Sequence, residues 1–162
     1  SLLLSCSVAL AREQYIESQL FLDEATADID EIRQWDDWGC GMTLLVLAEC
    51  RLGRSDQARE LVTTPLQAAS EVAEAIPPYW VFATAALYLA QQGNYEQAVG
   101  TYALVSRHPF VAHSKWLAGV IGQHIDAAAS TLPEKEIVEA EARGLNRGSQ
   151  ATVSELLARL KR

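Results

Sequence analysis

Glycine and proline are scarce in this 162-residue chain, at 9 and 5 copies. So few helix breakers leave the chain free to be almost wholly helical. Cysteine is scarcer, with Cys6, Cys40 and Cys50 in or beside apolar helical stretches. An odd count so placed suits buried thiols in a reducing cytoplasm better than a disulfide framework. Basic residues are also in deficit, with 13 Lys and Arg against 21 Asp and Glu and a net charge of −8. That balance excludes a nucleic-acid surface, which needs clustered Lys and Arg to meet phosphates. Long hydrophobic runs are missing too. The longest uncharged stretch, Ala75 to Tyr95, opens on Ala75-Ile76-Pro77-Pro78 and closes on Gln91-Gln92-Gly93-Asn94-Tyr95. Its apolar centre of roughly 12 residues is short of the ~20 that span a bilayer, so it predicts a buried helix.

Two nucleotide-binding patterns are absent: neither G-x-x-x-x-G-K-[ST] nor G-x-G-x-x-G occurs. Ser1-Leu2-Leu3-Leu4 lacks the basic segment of a secretion signal and runs quickly into Arg12 and Glu13. The missing initiator Met suggests the C-terminal portion of something longer. What is abundant is alanine and leucine, 25 and 21 copies, within a composition of 49% hydrophobic and 21% charged residues. Disorder is excluded by those percentages, and Ala and Leu are the strongest helix formers. The fold class is all-α.

A forty-residue repeat organises the helices. Arg12-Glu13-Gln14-Tyr15-Ile16-Glu17-Ser18, Leu52-Gly53-Arg54-Ser55-Asp56-Gln57-Ala58 and Gln92-Gly93-Asn94-Tyr95-Glu96-Gln97-Ala98 align without gaps. Ser18, Ala58 and Ala98 share one register position, and Leu22, Val62 and Tyr102 share another one turn later. Each unit predicts a first helix stopped by glycine, a short polar turn with Ser55 as a candidate N-cap, and a second helix. The small residue marks where the two helices cross. Second helices are expected from Tyr15 to about Arg33 and from Ser55 to about Ala75. Beyond Arg107-His108-Pro109-Phe110 the repeat fades. Helices are expected from about Val111 to Thr131, from Leu132-Pro133 to Gly144, and from Gln150 to Lys161. The last carries Val153, Leu156, Leu157 and Leu160 on one face.

Gly93, Tyr95, Ala98 and Tyr102, with Gly53 and Ala58 in part, resemble the tetratricopeptide repeat (TPR), though the usual period is 34. The resemblance implies a right-handed α–α superhelix. Three hairpins would occupy residues 1–110, and capping helices over 111–162 would complete the same structural unit. A second resemblance rests on Tyr102–Trp116, Leu132-Pro133, Ala142-Arg143-Gly144 and Ala151–Leu157. These are similar to the C-terminus of large bacterial transcriptional regulators, LuxR- or SARP-like, with a STAND-type NTPase and a TPR-like sensor tail. It implies a non-catalytic sensing or protein-interaction segment. Two alternatives remain open: an architectural oligomerisation module, and a small-molecule pocket near Trp80 and Cys40.

Carried over from the TPR register, a concave groove would present Leu3, Leu4, Ser7 and Leu10. The second hairpin would add Cys40, Thr43, Leu44, Leu47 and Arg51, and the third Trp80, Ala83, Thr84, Leu87 and Gln91. An apolar wall of this kind suits an amphipathic segment of a protein or peptide, or a self-contact. It lacks the Lys, Arg and Asn set of a carboxylate clamp. No cofactor, metal or catalytic residue is assigned. The acidic run Asp23–Asp37 has no EF-hand spacing and reads as a solvated helix face with Ile29 and Ile32 inward. Trp35 and Trp38 are expected at a junction between hairpins. His113 and His124 would share a helix face without further zinc ligands, and His108 is expected to cap the preceding helix. Neither Cys40 nor Cys50 has an evident activating base.

Overall fold

A computed structural model describes residues 35–71 and 79–160, with side chains from residue 41 onward, and scattered positions between 5 and 24. Most of the described residues are helical, and none is in a strand. The helices are α1 (Trp35–Arg51), α2 (Ser55–Glu71), α3 (Tyr79–Gln91), α4 (Tyr95–Ser106) and α5 (Pro109–His113). After them come α6 (Lys115–Leu117), one π turn (Ala118–Gly122), α7 (Gln123–Ala129), α8 (Glu134–Asn146) and α9 (Ser149–Leu160). The chain divides into two compact units, Ser1–Leu61 and Val62–Arg162. The expected boundary near residue 110 therefore falls inside the second unit, where α4 packs against α3, α7 and α8.

The division between the units falls within α2, four residues before Pro65. Proline lacks an N–H and leaves the carbonyl four residues earlier, that of Leu61, without its intrahelical bond. The helix nevertheless runs through Pro65 to Glu71. The outer reaches of the expected second helices, Leu22, Asp28–Arg33 and Val72–Pro78, lie outside the described residues, as do Cys6 and Tyr15.

The forty-residue register is visible in backbone hydrogen bonds. Gly53 N–H donates to Cys50 at 3.1 Å and Arg54 N–H to Glu49 at 2.9 Å. Forty residues on, Gly93 N–H donates to Ala90 at 3.1 Å and Asn94 N–H to Leu89 at 2.9 Å. This pair of bonds is the Schellman motif, with glycine in the left-handed conformation (φ 75° and 77°). The next helix starts at once, because Ala58 and Ala98 donate to the carbonyls of Arg54 and Asn94. At the first unit Gln14 donates to Ala9 at 2.8 Å and Ser18 to Gln14 at 3.0 Å, the same pattern without a glycine. Ser18, Ala58 and Ala98 are all fully buried.

One detail differs from expectation. Ser55 is the first helical residue, and Arg54 holds the N-cap position through its carbonyl. The turn is so tight that the residue closing one helix also opens the next. No side chain lies within 4 Å of a methyl group placed on Gly53 or Gly93, so only backbone strain opposes substitution. Gly93→Ala and Gly53→Ala are each expected to lower stability by about 1 kcal/mol, read as a shift of the denaturant midpoint at unchanged slope.

Helix α3 is the central element of the second unit. All ten residues from Val81 to Ala90 are buried, and the helix packs against α4, the π turn and α7. A helix without charge on any face belongs inside.

The single helix expected over Val111–Thr131 is interrupted. Ser114 is extended (φ −82°, ψ 105°), and its hydroxyl accepts the Leu117 N–H at 3.2 Å, starting a new helix. Pro109 likewise forces His108 into the extended region (ψ 128°) and opens α5 from its first position. The last two helices run close to the expected spans, and Val153, Leu156, Leu157 and Leu160 are buried together.

Gly144 does not end α8. The helix passes through it to Asn146, and the glycine serves a close crossing with α4. A methyl group at Gly144 would stand 1.9 Å from the Gly100 carbonyl oxygen and 3.1 Å from Ala103 Cβ. One at Gly100 would stand 3.0 Å from the Ala140 carbonyl oxygen. Small residues on both helices (Gly100 and Ala103, Ala140 and Gly144) let the two backbones touch.

Candidate functional site

The groove expected from the repeat register is not an open wall in the described residues. Thr84 and Leu87 on α3 are 3% and 0% exposed, and Ala83 is 0% exposed. Thr43, Leu44 and Leu47 on α1 are buried as well, while Arg51 is exposed and Trp80 half-buried. Gln91, at the end of α3, brings its Nε2 to 3.3 Å from His124 Nδ1 on α7. In the second unit, then, α7 lies against the helix that was to line the groove. Leu3, Leu4, Ser7 and Leu10 lie outside the described residues, and so does the side chain of Cys40.

The histidines separate. The extended Ser114 and the π turn break the shared face of His113 and His124, leaving His113 exposed and His124 half-buried against Gln91. His108 caps the preceding helix through its backbone N–H, which donates to Val105 at 2.9 Å. Its ring instead stacks on Tyr79, centroids 5.0 Å apart, and Phe110 adds a tilted contact to Tyr79 at 4.7 Å. Among the described residues no three His, Cys, Asp or Glu side chains gather into a metal-binding group. Of the acidic run only Glu24, helical and exposed, and the backbone of 35–37 in α1 are described; the rest, and the side chains of Trp35 and Trp38, lie outside the described residues. No described helix is long and apolar enough to cross a membrane.

Tyr102 occupies the register position of Val62 and reaches the π turn. A methyl group on Gly122 would sit 3.7 Å from its hydroxyl. Burial, and secondarily the negative charge of Asp126, raises its pKa above the ordinary 10.0.

One concave site does form within the second unit, where α4, α8 and α9 meet. It has a volume of about 310 Å³. Helix α4 contributes Glu96, Gln97, Gly100 and Thr101, and α8 with the residue after it contributes Ala140, Arg143, Gly144 and Arg147. Helix α9 closes it with Thr152, Glu155, Leu156 and Arg159. The close crossing at Gly100 and Gly144 forms part of its wall. Arg143 pairs with Glu96, and Arg147 pairs with Glu155. Arg159 approaches the same Glu155 carboxylate at 3.7 Å, and Gln97 Nε2 lies 3.5 Å from it. All five charged side chains keep between about a third and a half of their surface in solvent, so the pairs contribute little to stability.

None of these residues belongs to the groove set. Part of the pattern is readable along the chain: Glu155 and Arg159 are four apart on one face of α9, whereas Arg147, four residues after Arg143, sits just past the end of α8 in an extended conformation. That these side chains meet Glu96 and Gln97 of α4 around one pocket is a tertiary fact. Comparison with protein-family models, curated proteins and solved structures finds no match to the chain in any of the three.

Proposed function

We propose that the chain is a non-catalytic, TPR-like helical-repeat module that binds a protein or peptide partner and senses a signal within a larger bacterial transcriptional regulator. Its hairpins belong to a right-handed α–α superhelix, with α5–α9 as the terminal cap, acting in the cytoplasm. The observation that carries this reading is the recurrence of one turn at forty-residue intervals. Gln14, Arg54 and Asn94 each donate to the carbonyl five residues earlier, and a fully buried small residue follows four residues later each time. Stacked hairpins of this kind cannot bury their apolar faces singly, and stacking them creates extended surfaces suited to other chains. The regulator assignment rests on the sequence resemblance of Tyr102–Trp116, Leu132-Pro133, Ala142-Arg143-Gly144 and Ala151–Leu157 alone.

A peptide-display library selected against the immobilised chain tests the binding role. Enrichment of amphipathic sequences that then bind the chain as free peptides is expected. A library that yields no enriched sequence overturns the role.

A further inference from the structure

The α4–α8–α9 pocket contains three guanidiniums and two carboxylates, leaving one positive charge in excess. The excess is not shared evenly. Arg143 and Arg147 each have a direct carboxylate contact, whereas the Arg159 Nε stays 3.7 Å from Glu155, beyond hydrogen-bond length. Arg159 is thus the least neutralised cation of the site, with about half of its side chain in solvent. A guanidinium stays charged at any relevant pH and offers a planar fork that matches a carboxylate with two parallel hydrogen bonds.

We propose that this pocket binds a carboxylate, seated against the Arg159 fork with Arg147 as the second donor. Charge matching favours a single negative charge over a phosphate dianion, because the pocket already holds Glu96 and Glu155. The 310 Å³ volume suits a small acid or one acidic side chain and lies at the lower end of ligand pockets. The chain's net charge of −8 does not prevent this, since charges beyond about 8 Å are largely screened at physiological salt. The proposal goes beyond the partner-binding role above and is tested without any protein partner.

The experiment is a titration of the whole chain followed by NMR at the arginine Nε–H groups. One arm adds succinate, a free acid. The other adds acetyl-Ala-Glu-Ala-amide, whose only carboxylate is a side chain. Saturable shifts at Arg159 and Arg147 in either arm support the site, and the arm that responds more strongly identifies the source of the carboxylate. Arg159→Gln is expected to weaken binding about tenfold while the amide spectrum elsewhere stays folded. Glu155→Gln removes the competing carboxylate and is expected to tighten binding about threefold. The site is overturned if neither probe gives saturable shifts, if Arg159→Gln binds as well as the original chain, or if inorganic phosphate shifts the same signals equally.

Discussion

Gly144→Ala is expected to destabilise the second compact unit by about 3 kcal/mol or more, a large effect for one added methyl group. The new Cβ would stand 1.9 Å from the Gly100 carbonyl oxygen, a distance that real Cβ atoms do not reach. The obstacle is backbone, which cannot rotate away as a side chain does. Helix α8 must therefore move off α4, and it takes with it Ala140, which is fully buried. Alanine is the better helix former, so propensity alone would predict a gain of about 1 kcal/mol. The sign of the change thus separates packing from propensity. Urea denaturation followed by circular dichroism measures it. Gly148→Ala, with nothing within 4 Å of the new methyl, is the control and should stay within about 0.5 kcal/mol.

Leu87→Asp is expected to unfold the second unit altogether at room temperature. Leu87 is 0% exposed in the middle of ten consecutive buried residues. Removing its side chain forfeits about 2–5 kcal/mol of burial and cavity energy. Placing a carboxylate there without a partner adds several kcal/mol more. Together these rival the whole stability of an ordinary domain, about 5–15 kcal/mol. Leu87→Met, nearly conserving volume, should lose less than about 1.5 kcal/mol. Far-ultraviolet circular dichroism with a proton NMR spectrum distinguishes the outcomes. A folded Leu87→Asp protein would mean that this face of α3 is open and that the groove exists there after all. Otherwise, loss of partner binding in such a variant reports unfolding rather than recognition.

These two positions also show how far the sequence could be read. The all-helical fold and the forty-residue register were legible because they depend on local chemistry. A glycine in the left-handed conformation ends a helix whatever surrounds it, and Gly53 and Gly93 do so with the same two hydrogen bonds. Gly144 defeated the same rule. Glycine in a helical pattern marks either a stop or a close approach, and only the partner helix decides between them. A hint was present, since Ala140 and Gly144 are spaced to share a helix face and Gly100 and Ala103 offer a matching small surface.

The groove positions on α3 are closed for a related reason. An uncharged stretch from Ala75 to Tyr95 implies a helix buried on every side, yet the repeat register assigned Thr84 and Leu87 to an accessible wall. The two expectations compete, and burial wins because α4, the π turn and α7 pack on α3. The break at Ser114 was hidden as well. Serine caps helices well but is common within them, and only its extended backbone reveals the cap. The charged pocket needed three helices to meet, and spacing along one helix does not carry that information.

Light scattering on the chain, alone and with a peptide selected against it, tests the interaction role most directly. A binding module predicts a monomer of 17.7 kDa across a wide range of concentrations and a one-to-one complex when the peptide is added. A dimer that persists on dilution and excludes the peptide would contradict it, making self-association the role of the chain.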